Sequence, residues 1–408
     1  MKNCCVIGLG YIGLPTAAIL ADNNYKVFGV DINQKIISKI NKGEVHINEP
    51  NLENLVRKVI EKKLFEAIST PISSDIFLIT VPTPCLKNDL NIPQPNIKYV
   101  LQAVNSIIPV VKEGDLIILE STCPVGTTNK IKDLISKKIN FSINDIKIAY
   151  CPERVIPGNI INELLENDRV IGGINKNSKI AAKDFYESFC KGKVEITNDK
   201  TAEMVKLTEN AFRDVNIAFA NELSLICDEL GIDVYELIEL SNHHPRVNIL
   251  KPGCGVGGHC IAIDPWFIAS KSPDISHLIQ TARKVNDNKP QWVMKKIISA
   301  SKSFRDLFNR KPTIGLLGLT FKPDVDDLRE SPSLEICNRL IGSGENVIVC
   351  EPNLTSYKNL QFVSTNDILN KADIFVLLVL HKQFKDMEID SKYILDFCGF
   401  LKSNVSIF

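Results

Sequence analysis

Runs of apolar residues that break into short polar or glycine-rich loops dominate the first part of the chain. They are NCCVIGL at 3–9, KVFGV at 26–30, DIFLITV at 75–81, DLIILE at 115–120 and IKIA at 146–149. Continuous apolarity, rather than strict alternation, marks strands buried on both faces, as in a parallel sheet. A helical period fills the interval from residue 13 to about residue 22. The runs end near Asp31, Thr83, Thr122 and Glu153, and the carboxyl ends of strands are where open α/β sheets bind ligands.

The period changes at residue 201. TAEMVKLTENAFRDVNIAFANELSLICDEL, at 201–230, is helical in period and free of Gly and Pro. Lys206, Asn210 and Arg213 fall at i, i+4 and i+7, a polar stripe on an otherwise apolar helix. Val205, Leu207, Ala211, Phe212, Ile217 and Phe219 wrap the remaining circumference, which predicts a buried helix whose Lys206 needs a partner or a task. Beyond a Lys/Ser-rich stretch at 299–311, the opening layout returns. TIGLLGLTF at 313–321 reads as a strand and loop, 331–341 as a helix, and 346–350 as a strand ending at Glu351. DIFVLLVL at 373–380 then matches the earlier DIFLITV. The expected fold class is α/β, with two Rossmann-like doubly wound domains joined by a long central helix and a helical middle domain. The boundaries read as 1–198, 199–300 and 301–408.

Composition narrows the class of protein. The 408 residues are 44% hydrophobic and 24% charged, with Lys+Arg and Asp+Glu balanced at 48 each. That balance gives no footprint for nucleic acid or an anionic membrane. The amino terminus has no signal-peptide pattern, and no apolar stretch reaches the ~18 residues of a membrane span. The 12 cysteines are scattered through apolar segments without a CxxC pair, so a reducing cytoplasm is expected, and no metal site.

Two stretches carry chemistry. GLGYIG at 8–13 lies between the first strand and a helix, with Asp31 closing the next strand. This is the dinucleotide fingerprint: Gly8, Gly10 and Gly13 admit a pyrophosphate to the helix N-terminus, and Asp31 can bind a ribose diol. A 2′-phosphate would meet the Asp31 carboxylate, so NAD is expected over NADP. The second stretch, KPGCGVGGHCIAIDPW at 251–266, is a glycine-rich loop that delivers the Cys260 thiol with Asp264 four residues on. If the chain turns helically at Cys260, thiol and carboxylate share a face; a buried Cys beside a capping Asp is the plainer alternative. Other features stay open. The Thr83 hydroxyl suits a ligand or its own turn, His243-His244-Pro245-Arg246 a ligand or plain turn chemistry, and Lys322 with Arg329 a phosphate or an exposed charged loop.

Taken in order, these motifs resemble the nucleotide-sugar 6-dehydrogenases, the UDP-glucose/UDP-mannuronate dehydrogenase family, over essentially the whole chain. The family-wide signals are GLGYIG, VPTP, EST-PVG, the Lys206/Asn210 helix, GGHC followed by Asp-Pro, and GLTFKPDVDDLRESP. GEVHINEPNL, AYCPERVIPG, NDRVIGG, NHHPRVNIL and GVGGHCIAIDPWF narrow the resemblance within it. The resemblance implies an NAD-binding first domain, a central dimerisation domain and a UDP-binding third domain. It implies Cys260 as nucleophile and Lys206 as the residue stabilising charge at the reacting carbon, with Asn210 and Asp264 beside it. Glu153 resembles the acid/base carboxylate, and Thr122 the residue that places the catalytic water. Cofactor contacts map to Tyr11, Ile12, Asp31, Thr83, Thr122 and Arg329. Substrate contacts map to Arg154, Val155, Lys206, Asn210, Arg213, His244, Arg246, Gly257, Phe321 and Lys322. Related enzymes often carry Pro where this loop has Cys254, and Arg where Lys402 aligns.

The implied reaction takes C6 of a UDP-sugar from alcohol to acid with two NAD per substrate, in a cytoplasmic homodimer. A thiol suits it, because an aldehyde needs a covalent thiohemiacetal before a second oxidation to a thioester. Water activated through Glu153 or Asp264 would then release the acid. A two-electron hydroxyacid dehydrogenase would need neither Cys260 nor the third domain, and a non-catalytic NAD-binding protein would not need the catalytic set.

Overall fold

The five apolar runs form strands β1 (Asn3–Ile7), β2 (Lys26–Val30), β4 (Ile76–Ile79), β5 (Leu116–Leu119) and β6 (Lys147–Tyr150), and three strands not read from the sequence, β3 (Phe65–Ile68), β7 (Arg169–Gly173) and β8 (Val194–Asn198), join them. They make one sheet in the order β8-β7-β6-β5-β4-β1-β2-β3, parallel except where β7 runs against β6. Successive side chains serve opposite faces: Cys4 and Val6 of β1 join one core, Cys5 and Ile7 the other. Strands covered on both sides have no polar face, which is why the sequence shows runs instead of alternation. The order reverses between β1 and β4, so the loops after these strands border the crevice in which doubly wound sheets hold nucleotides.

The computed structural model describes residues 1–86, 92–258, 260–389 and 393–400, and the chain divides into two units. The first unit is Met1–Glu209 with Trp266–Pro273, and it contains the eight-stranded sheet. The second is Asn210–Pro265 with Asp274–Phe408. Its sheet, β10-β9-β11-β12, is built from β9 (Thr313–Leu317), β10 (Asn346–Cys350), β11 (Ile374–Leu377) and β12 (Ile394–Asp396), all parallel. Its first turn copies that of the first unit. Gly8 N–H donates to Val30 at 2.8 Å and Gly318 N–H to Cys350 at 3.0 Å, each glycine at positive φ. The two Rossmann-like folds read from the sequence are therefore present.

The central helix runs over Asp199–Leu230, as its uninterrupted period predicts. It is not buried all round. Phe212 is 68% and Phe219 52% exposed, and with Ile226 and Leu230 they form one stripe at helical spacing along an open side. A second helix of equal length, His277–Phe308, contains Pro290. The Lys/Ser-rich stretch forms the end of this helix: Val293, Ile297, Ala300 and Phe304 recur at i, i+4, i+7 and i+11 and enter the second unit's core. No helix among the described residues is long and apolar enough to cross a membrane.

Candidate functional site

In the first unit the sequence-predicted residues collect on loops that follow the strands. Helix Gly13–Asp22 begins inside the fingerprint, with no side-chain cap and no acidic residue in its first turn. Leu14 N–H already donates to the Gly10 carbonyl at 3.1 Å and Pro15 has no N–H, so what the turn offers an anion is the positive end of the helix with no carboxylate competing for it. A Cβ at Gly13 would lie 1.8 Å from the Gly8 carbonyl, so only glycine lets strand and helix meet here, whereas Gly10 faces open space. Tyr11 and Ile12, the other fingerprint residues, are half-buried. Asp31 Oδ2 accepts from Leu9 N–H at 3.1 Å and Oδ1 from Asn33 N–H at 2.9 Å, which fixes the carboxylate at the end of β2. Thr83 is buried, and its hydroxyl donates to the Thr122 carbonyl at 2.6 Å, tying the loops after β4 and β5 together. The turn role left open for Thr83 is therefore occupied by a bond between loops.

Lys206 has the partner that its burial demands. At 6% exposure, its ammonium donates to the Glu153 carbonyl at 2.8 Å and to Glu153 Oε1 at 3.2 Å. Glu153 Oε2 accepts from Val155 N–H at 2.9 Å. Arg154 makes a two-pronged pair with Glu209, Nη2 to Oε1 at 2.6 Å and Nε to Oε2 at 3.2 Å.

The second unit gathers the cysteine loop. The Cys260 carbonyl accepts from Asp264 N–H at 2.9 Å and Ile263 N–H at 3.1 Å, so the chain does turn helically there, into helix Asp264–Lys271. Cys260 is exposed, Asp264 is buried, and Asp264 Oδ2 accepts from Asn210 Nδ2 at 2.5 Å. Among the described residues, Cys85 and Cys398 are half-buried and every other thiol is buried. The glycines carry the loop across Phe321. A Cβ on Gly257 would come within 2.6 Å of the Glu330 carbonyl, and one on Gly258 within 2.7 Å of the Phe321 ring. Gly258 N–H also donates to the Arg329 carbonyl at 3.1 Å. Gly257, Phe321 and Arg329, far apart in sequence, are thus brought together. Arg213 and Arg246 are exposed, and His244 Nδ1 accepts from Arg246 N–H at 3.3 Å, which is turn chemistry. His259 and Lys402 lie outside the described residues.

Residues 2–190 match the NAD-binding domain, 200–288 the central domain and 315–403 the UDP-binding domain of the UDP-glucose/GDP-mannose dehydrogenase family. The chain belongs to this family. It is 50% identical to a UDP-N-acetyl-D-mannosamine dehydrogenase of Campylobacter jejuni, covering 97% of this chain and 99% of that protein. It is 47% identical to an NDP-N-acetyl-D-galactosaminuronic acid dehydrogenase of Ralstonia nicotianae, covering 98% and 96%. Among solved structures, a UDP-D-ManNAc dehydrogenase from Pyrococcus horikoshii superposes with a TM-score of 0.90 at 37% identity, over 98% of this chain and 96% of that one. The UDP-N-acetyl-mannosamine dehydrogenase of S. aureus gives 0.88 at 39%, over 99% and 96%. As a member of this family the protein is an NAD-dependent oxidoreductase. The first unit fits that cofactor: the Gly8–Gly13 approach leaves no room for a side chain, the helix N-terminus is uncapped, and Asp31 is held in place beside it.

The sequence reading missed the groups that hold these loops. Glu203, fully buried on the central helix, accepts from Gly126 N–H at 2.5 Å and Thr128 N–H at 2.7 Å, anchoring the loop that carries Thr122. Burial pushes its carboxyl up, against those hydrogen bonds. Glu49 does the same for the Glu153–Val155 loop, taking Gly158 N–H at 2.8 Å and Ile160 N–H at 2.7 Å. Asn221 Oδ1 accepts from Gly253 N–H at 2.9 Å, at the start of the cysteine loop, while its amide donates to Asn286 Oδ1 at 2.8 Å. For Glu203 and Asn221 the available signal was an acidic or amide residue on an otherwise apolar helix face; Glu49 lies in a loop and gave none.

Lys289 was also missed. It is 3% exposed, lies 3.9 Å from the Trp292 ring centre and donates to the Ser224 hydroxyl. Burial pushes its pKa down from 10.5 to about 8, with Cys254 and Asp228 acting the other way. The neighbouring Cys254 thiol is itself pushed up to about 12 by burial and stays neutral at that pH. With the folded value below the unfolded one, the unfolded chain binds the proton more readily. Stability from this group is complete above 10.5 and is lost as pH falls through 8. Lys289→Met is expected to flatten the rise of denaturation midpoint between those values; an unchanged slope would contradict the burial argument.

Proposed function

We propose that the protein oxidises C6 of UDP-N-acetyl-D-mannosamine to the uronate, a four-electron conversion in the cytoplasm that supplies a sugar acid for surface polysaccharide. The observation that carries the reading is the Cys260 turn: an exposed thiol one helical turn from a buried Asp264 whose carboxylate is held by Asn210. A hydroxyacid oxidation has no use for that thiol. The relatives at about half identity named for UDP-N-acetyl-D-mannosamine support the sugar.

Each oxidation uses one NAD as electron acceptor, held by the fingerprint glycines, Tyr11, Ile12 and Asp31, with Thr83, Thr122 and Arg329 as further contacts. The remaining chemistry belongs to the chain. A carboxylate takes the C6 hydroxyl proton in the first step. The Cys260 thiolate adds to the resulting aldehyde, so that the carbon carries an oxidisable thiohemiacetal and then a thioester. The Lys206 ammonium stabilises negative oxygen at that carbon, and Asn210 keeps Asp264 oriented. Water placed by Thr122 and activated through Glu153 or Asp264 releases the acid. Arg154, Val155, Arg213, His244, Arg246, Gly257, Phe321 and Lys322 form the substrate contacts in this reading, and the domains fall at 1–198, 199–300 and 301–408.

Complete turnover is expected to yield two NADH per sugar nucleotide and a uronate product. One NADH with an aldehyde would overturn the Cys260 reading. A panel of UDP-N-acetylmannosamine, UDP-N-acetylglucosamine, UDP-N-acetylgalactosamine and UDP-glucose decides the sugar. The galactosaminuronic acid dehydrogenase relatives make UDP-N-acetylgalactosamine the informative competitor.

The same reading includes a homodimer. Phe212, Phe219, Ile226 and Leu230 make an exposed apolar stripe along the central helix, and a second copy of that stripe is its natural cover. Light scattering at micromolar concentration is expected to give the dimer mass, and Phe219→Glu to shift it toward the monomer. A monomeric parent chain would contradict the proposal.

A further inference from the structure

The duplicated first turn ends differently in the two units. In the first, Asp31 follows β2, accepts from Leu9 N–H and remains half-exposed, as a ribose acceptor requires. In the second, Glu351 occupies the same place after β10, and Leu319 is the counterpart of Leu9. Here the carboxylate is closed off. Oε2 accepts from Leu319 N–H at 2.7 Å, Thr320 N–H at 3.2 Å and His381 Nε2 at 3.1 Å; Oε1 accepts from Asn353 N–H at 3.1 Å and Nδ2 at 3.4 Å. The side chains of Glu351 and His381 are both 0% exposed. A ribose cannot reach this carboxylate.

His381 links the other end of the same segment. Its Nδ1 accepts from Asp324 N–H at 3.0 Å and lies 2.9 Å from Asn353 Nδ2, so Nδ1 carries the lone pair and Nε2 the proton shared by Glu351 and Thr320. Asp324 sits at φ +61°, a conformation that non-glycine residues adopt only when held. The holding bonds are the one to His381 and a second from Lys382 N–H to Asp324 Oδ1 at 2.9 Å. Between these anchors lie Phe321 and Lys322. The Thr320 hydroxyl donates to the Lys322 carbonyl at 2.9 Å, and Phe321 N–H to the Asp327 carbonyl at 3.1 Å.

We propose that Glu351 and His381 are positioning residues for nucleotide binding, fixing the backbone of segment 319–324 at the place where the first unit uses Asp31 for a ribose. The second fold thereby presents its uridine diphosphate contacts from a clamped loop and not from a strand-end carboxylate. This rests on the reading of Phe321 and Lys322 as substrate contacts.

The probe is UDP, titrated calorimetrically into the full-length protein. His381→Leu removes a donor and an acceptor and is expected to weaken UDP about tenfold, the cost of one charged hydrogen bond, with NAD affinity unchanged. Glu351→Gln is isosteric and keeps the fold testable should His381→Leu fail to fold. Its amide nitrogen opposes the donors of the loop, and a comparable loss is expected. His381→Gln, which retains a donor and an acceptor, is expected to restore most of the affinity lost in the leucine variant. The KM for the sugar nucleotide should follow the UDP affinity through all three. Lys322→Ala separates the levels. If it weakens UDP while Glu351→Gln binds like the parent, the positioning role is overturned and the substrate reading stands. If Lys322→Ala itself binds UDP like the parent, the loop is no nucleotide contact and the inference fails with that reading.

Discussion

Cys260→Ser is expected to lose overall turnover on the order of a thousandfold or more while still binding NAD and sugar nucleotide, because a serine hydroxyl is not ionised near neutral pH. The substitution nearly preserves size at an exposed position, so the turn closed by the Cys260 carbonyl and Asp264 N–H should survive. The first oxidation needs no thiol, and the variant should stall after it or accumulate a stable ester. Mass spectrometry of the intact protein after incubation with both substrates distinguishes the two. Cys254→Ser is the control six residues earlier. Its thiol is buried in the second unit's core and lies 3.6 Å from the Leu378 carbonyl, so a hydroxyl there costs about 1 kcal/mol of stability and leaves the chemistry in place. Uronate formation at a near-parental rate by Cys260→Ser would mean that no thioester lies on the path.

Lys206→Met should lower kcat by about a hundredfold to a thousandfold, the scale seen when one preorganised donor to a developing oxyanion is removed. Methionine keeps the length and apolar stem inside the helix packing. The ammonium now bonded to the Glu153 carbonyl and Oε1 is lost, and Glu153 keeps only the Val155 N–H among the bonds described above. Breaking such a pair also destabilises the fold, by up to about 3–5 kcal/mol where burial is complete. Activity must therefore be read below the melting range, with NAD binding as the check on the first unit. Lys206→Arg, which retains charge but not the compact ammonium, should recover only part of the loss. Near-parental kcat in folded Lys206→Met protein would remove the lysine from the chemistry.

The Lys206–Glu153 pair also shows where sequence reasoning stopped. The apolar residues around Lys206 implied a partner, but the identity of that partner lies 53 residues away in a loop after β6. Local period carries no information about such a pairing. The same holds for Glu203 with Thr128, 75 residues apart, and for Glu49 with Ile160, 111 apart. β7 was missed for another reason. RVIGG at 169–173 begins with a charged residue, ends in two glycines and runs antiparallel to β6, so it lacks the signature of a doubly buried parallel strand. The helix His277–Phe308 was not read from the sequence: it contains Pro290 and has a Lys/Ser-rich end, and packing of Val293, Ile297, Ala300 and Phe304 into the core overrides both features.

What the sequence determined by itself was whatever depends on neighbours within a few residues. Five of the buried strands follow from uninterrupted apolar runs, the dinucleotide turn from glycine spacing, and the central helix from its period, whereas the separation of four between Cys260 and Asp264 left the turn open until the structure closed it. The second Rossmann-like fold was legible because it repeats the first in outline. Tertiary structure decided what sits across from each of these. It made Glu351 a closed strut where Asp31 is an open acceptor, seated the glycine loop on Phe321, and left one stripe of the central helix exposed. The physical reason is that a carboxylate's role is set by how many donors reach it and whether water does. Those quantities are fixed only when distant segments of the chain meet.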